Sequence, residues 1–133
     1  MEIDIIQAVE AIRDNTPRGA RILPVALPLE TRYAALRPVV YAYKDGGIFA
    51  DTNYRALLEW DKIRQELEQI TEQEKDASAR LRRLLQLSGR LSSQYVVTDF
   101  RIDDALASSM GAKVVWKNES FTLLRCPLGK EKQ

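Results

Sequence analysis

Short apolar runs alternate with segments of helical period, and the last two runs face each other across Lys117-Asn118-Glu119-Ser120, which predicts one α/β domain with a mixed sheet. The composition agrees. Of 133 residues 45% are hydrophobic and 29% charged, too apolar for a disordered chain and enough for a core without disulfides or a structural metal.

The elements follow in order. Ile3, Ile5, Ile6, Val9 and Ile12 recur at helical spacing and stop at Asn15-Thr16-Pro17-Arg18-Gly19, a first helix and its exit turn. Ala20 to Leu27 reads as a buried strand, with Pro24 confined to an edge, bulge or strand end because it cannot donate to the ladder. Leu29 to Arg37 allows a helical turn or two. Val39-Val40-Tyr41-Ala42-Tyr43 has strand composition and runs into Lys44-Asp45-Gly46-Gly47, a tight turn.

From Tyr54 to about Gln94 the pattern is helical, with Leu57, Trp60, Ile63, Leu67 and Ile70 in one stripe and Leu81, Leu84, Leu85 and Leu91 in another. Thr71-Glu72-Gln73-Glu74 fits a capping box and Asp76 a later cap, so residues 55–94 form a helical hairpin or a kinked helix. Tyr95 to Phe100 is the clearest strand. A helix from Ile102 to Met110 ends at Gly111, and Lys113–Trp116 with Phe121–Arg125 closes the fold as a β-hairpin. With right-handed crossovers this becomes a three-layer Rossmann-like domain over residues 1–133, its sheet of about five strands.

Several chemistries are excluded. The chain has no histidine and one cysteine, Cys126, so Ser-His-Asp and Cys-His pairs, zinc cages and intrachain disulfides cannot be built. Neither G-x-G-x-x-G nor a P-loop is present, so no cofactor is expected. With 20 basic and 19 acidic residues the net charge is +1, which gives no field for nucleic acid.

What remains is local. Asp45 and Asp99 follow strands, and in a parallel arrangement both reach the strand-end crevice where α/β folds bind ligands. Lys44, Asp45, Gly46, Gly47 and Asp99 are therefore the candidate ligand-binding residues, with backbone N–H groups of the glycines available to an anion beside Lys44. Asp103 and Asp104 read as the cap and start of the following helix. Residues 59–76 hold seven acids and three bases, whereas 77–94 hold Arg80, Arg82, Arg83 and Arg90 and no acid. Arg80, Arg82 and Arg83 among leucines suit anionic lipid or phosphate, or else a solvated face whose leucines pack on the sheet. Asn118-Glu119-Ser120 matches an N-glycosylation acceptor.

Pro17-Arg18-Gly19-Ala20-Arg21-Ile22-Leu23, then Val40 through Phe49, Tyr95-Val96-Val97-Thr98, Gly111 through Trp116 and Phe121 through Arg125, taken in that order, resemble the soluble C-terminal domain of bacterial polytopic membrane proteins similar to dolichyl-phosphate-mannose-type glycosyltransferases. The resemblance implies that sugar transfer belongs to acidic loops of a membrane region outside this chain, so it carries over no catalytic residue. It implies a support or acceptor-recognition domain outside the cytoplasm, its partner the membrane region of a parent protein or a membrane surface. No stretch of this chain approaches the roughly 18 apolar residues of a membrane span. A free-standing reading makes the chain a cytoplasmic small-ligand binder or enzyme with a strand-end pocket, or an interaction module using residues 55–94.

Overall fold

The computed structural model describes residues 2–28, 30–40 and 53–127 of the chain. Helix α1 (Glu2–Asn15) is followed by strand β1 (Ile22–Pro24) and a π-helical turn, Glu30–Ala34. Helix α2 (Tyr54–Glu68) runs into a second π-helical turn, Gln69–Gln73, and then α3 (Ala77–Arg90). Strand β2 (Tyr95–Thr98), helix α4 (Asp104–Ser109) and strands β3 (Lys113–Lys117) and β4 (Thr122–Arg125) complete it.

The fold is α/β with one open mixed sheet in the order β1-β2-β4-β3. Strand β1 pairs with β2 in parallel, and β4 pairs antiparallel with both β2 and β3. Four strands replace the expected five among the described residues. The run expected at 39–43 contributes one parallel bridge, Ile22 to Val39, and Tyr41 to Tyr43 lie outside the described residues. With one parallel strand pair and two antiparallel ones, the sheet is not the all-parallel kind that successive crossovers build.

Side chains of the central strands alternate between two cores, as a period of two requires. Leu23, Val96 and Leu124 join Leu67, Ile70, Leu81, Leu84 and Leu87 from the α2–α3 segment in one cluster. Ile22, Tyr95, Val97 and Leu123 join Ile12 of α1 and Ala35 in the other. Pro24, the last residue of the edge strand β1, sits where its missing N–H removes no ladder bond.

Helix α1 buries Ala8, Ala11 and Ile12, not the whole isoleucine stripe. At 3.6 residues per turn Ile3 and Ile6 fall opposite that face, and they are 69% and 54% exposed. The chain breaks between α2 and α3, so the segment is two helices. Asp76 is the cap, accepting from Ala79 N at 2.9 Å. Thr71 of the alternative capping box instead donates to the Leu67 carbonyl at 2.8 Å. Helix α4 ends at Gly111 with φ +80, a left-handed position that glycine adopts without strain.

Arg37 ties the C-terminal end of α1 to the loop that follows β1. Only 7% exposed, its guanidinium donates Nε to Thr16 Oγ1 at 2.9 Å, Nη1 to the Ala35 carbonyl at 3.0 Å, and Nη2 to the Arg13 and Thr16 carbonyls at 3.0 and 2.9 Å. These are the carbonyls that a helix end leaves unpaired, at the negative pole of its dipole. Leu36, at φ 57 and 63% exposed, accepts a left-handed backbone immediately before the arginine turns inward. Arg37→Ala strands several buried acceptors and is expected to cost about 3 kcal/mol in urea unfolding. Arg37→Lys should recover only a minor part, since one ammonium cannot span the fork.

A candidate strand-end binding site

Strand β2 has neighbours on both edges, and its chain leaves the sheet towards α4 at the carboxyl end. There the fully buried Thr98 accepts the Phe100 N–H on Oγ1 at 3.3 Å, and Thr122 Oγ1 donates to the Phe100 carbonyl at 3.5 Å. This bend presents Asp99, Phe100 and Arg101. The β3–β4 loop faces them, and between the two segments lies a hollow of about 290 Å³ lined by residues 99–101 and 117–122.

Asn118 builds the facing wall. Its Oδ1 accepts from Ser120 N at 3.0 Å and Phe121 N at 2.8 Å, an Asx-type turn, while its Nδ2 donates to the Asp4 carbonyl and Gln7 Oε1, both at 3.2 Å. Ser120 also donates to the Asp4 carboxylate. The first turns of α1 thus hold the loop from outside. Asn118, half-buried, has its amide nitrogen committed to α1, so the Asn118-Glu119-Ser120 triplet closes a loop here.

Charges around the hollow are mixed: Asp99 and Glu119 against Arg101 and Lys117. Lys117 Nζ lies 3.5 Å from Asp104, both exposed. With Phe100 and the buried Phe121, the lining offers paired donors and acceptors beside aromatic surface.

Of the residues singled out by sequence, Asp99 lines this hollow; Lys44, Asp45, Gly46 and Gly47 lie outside the described residues. The arginines of α3 diverge. Arg80 donates Nε and Nη2 to the Glu74 carbonyl at 3.2 and 2.8 Å and lies 5.0 Å over the Phe100 ring. Arg83 reaches Gln69 Oε1 at 3.2 Å and the Glu74 carboxylate at 3.8 Å. Arg82 is exposed to solvent. Two of the three thus fasten the corner between α2 and α3. Asp103 stands at the N-cap position of α4 without a side-chain capping bond.

Arg101 lines the site although no pattern marked it, and Lys117 and Glu119, marked only as members of the hairpin turn, line it as well. Asn118 carried a signal, an Asn-Ser pair inside a hairpin loop, which is the composition of a side-chain-closed turn. No group of three or more acidic or cysteine side chains among the described residues is placed to hold a metal, and no described helix is long and apolar enough to cross a membrane.

Cys126 lies apart from the hollow, beside Ser88 with Sγ···Oγ 2.9 Å. Burial outweighs that hydrogen bond and pushes the thiol from the ordinary 9.0 up to about 11, leaving almost no thiolate near neutrality. No family model matches the chain, and no curated protein or solved structure matches it.

Two outcomes check these contacts. Asn118→Ala removes four hydrogen bonds and is expected to lower unfolding free energy by about 2 kcal/mol, read by urea denaturation. For Cys126 the folded pKa is raised, so its stabilising contribution is complete below pH 9.0 and lost as pH rises through about 11. Across that window the native chain should lose about 2 kcal/mol more stability than Cys126→Ala.

Proposed function

We propose that this chain is a non-catalytic recognition domain that holds a small polar ligand at the carboxyl end of β2. The hollow between residues 99–101 and 117–122 carries the reading. Its carboxylates, cations and aromatic rings match a polyhydroxylated ligand, whose hydroxyls both donate and accept while its ring faces are weakly apolar. The absence of histidine from the sequence supports binding over acid–base work.

The resemblance to glycosyltransferase-like membrane proteins supports a wider setting: an accessory, acceptor-recognising domain outside the cytoplasm beside the membrane region of a parent protein. In this setting the fold is a reduced three-layer Rossmann-like domain. The parallel β1–β2 pair and the core residues on both strand faces support that view. The interaction-module reading of residues 55–94 is less favoured, because Leu67, Ile70, Leu81, Leu84 and Leu87 are consumed by the protein's own core.

Titration of ¹⁵N-labelled chain with neutral mono- and oligosaccharides tests the ligand. Saturable amide shifts are expected at residues 99–101 and 117–122, weakened about tenfold by Asp99→Asn through loss of a charged hydrogen bond. Unmoved amides across a panel of saccharides would remove this reading. The parent gene tests the setting: adjoining hydrophobic spans support it, and a reading frame without any overturns it.

A further inference from the structure

We infer that a second hollow, between the start of α3 and the β2–α4 connection, binds the carboxylate of a small organic acid with an apolar body. It has a volume of about 360 Å³, within the range of small-ligand sites. It shares Phe100, Arg101 and Lys117 with the strand-end hollow, yet its chemistry differs. The claim stands whether or not its neighbour binds a saccharide.

The floor is apolar. Leu81 and Ile102 are 2% and 3% exposed, and Phe100 and Leu106 pack half-buried against the same core. The rim is cationic. Arg80, Arg101 and Lys117 line it against Asp103, and Asp104 answers Lys117 from 3.5 Å. Three cations against two carboxylates leave one positive charge in excess, which suits a monoanion; a dianionic phosphate would overshoot that balance and meet Asp103.

Arg80 is positioned in advance. Its Nε and Nη2 are fixed on the Glu74 carbonyl and its plane lies over Phe100, so it loses little freedom when a ligand arrives. Exposed Arg101 supplies the fork that matches a carboxylate. An aryl or short alkyl body lying on Leu81, Phe100 and Leu106 then completes the fit.

The test is a ¹⁵N titration with 4-phenylbutyrate, its neutral amide and acetate. Saturable shifts are expected at Leu81, residues 100–103 and Leu106, with the amide and acetate each about tenfold weaker. Arg101→Gln, an exposed change, should weaken phenylbutyrate at least about fivefold. Absence of saturable shifts there, or equal binding of the neutral amide, overturns the proposal. Equal binding of acetate reduces the site to a surface charge and overturns it as well. Shifts at Asp99 and residues 118–122 belong to the neighbouring hollow alone, and shifts at Leu81, Ile102, Asp103 and Leu106 to this one alone, so the two readings fail separately.

Discussion

Everything in this fold is registered against β2, a strand buried on both faces and paired on both edges. Its four residues are all buried; Val96 points to the α2–α3 core, and Tyr95 and Val97 to the α1 core. A slip of one residue would exchange the two sets and expose both cores to the wrong helices. The strand start is pinned as firmly: the Arg21 N–H donates to Gln94 Oε1 at 2.9 Å, and the Gln94 N–H returns to the Arg21 carbonyl at 2.9 Å. With sides and start fixed, the carboxyl end is left to open onto the hollow lined by residues 99–101 and 117–122.

The corners are secured by arginines that donate to carbonyls. Arg37 satisfies the end of α1, and Arg80 satisfies the Glu74 carbonyl where the second π-helical turn gives way to α3. A guanidinium presents five donors in one plane, so a single side chain closes several backbone acceptors without placing a carboxylate in the interior. Arg64 works differently, bridging Asp61 and Glu68 on the exposed side of α2 at 2.7 Å each, where solvent screens the pair. Buried Arg37 and half-buried Arg80 thus join backbone segments at the corners, which the Arg64 pairs within α2 do not.

Local patterns were readable and distant pairings were not. β2, the closing hairpin, the Asp76 cap and the left-handed Gly111 each depend on residues within a few positions, and sequence named all of them. Insertion of β4 between β2 and β3 depends on pairs such as Val97 with Leu123, which no local period encodes. The same holds for α1, where Ile3 and Ile6 continue an apolar pattern but the packed face is set by Ala8, Ala11 and Ile12. Of the site, Asp99 was legible because it ends a strand. Arg101, Lys117 and Glu119 become neighbours only when the hairpin folds back over the end of β2.

The register shift between Val114 and Trp116 has a consequence for the molecule among its own copies. Among the described residues no strand covers the outer edge of β3, which would otherwise be a straight template for another chain. A bulge twists such an edge out of line, and exposed lysines at both ends, Lys113 and Lys117, would have to lose water to admit a new strand. The irregularity thus guards against fibre-like growth at the one sheet margin that lies farthest from β1.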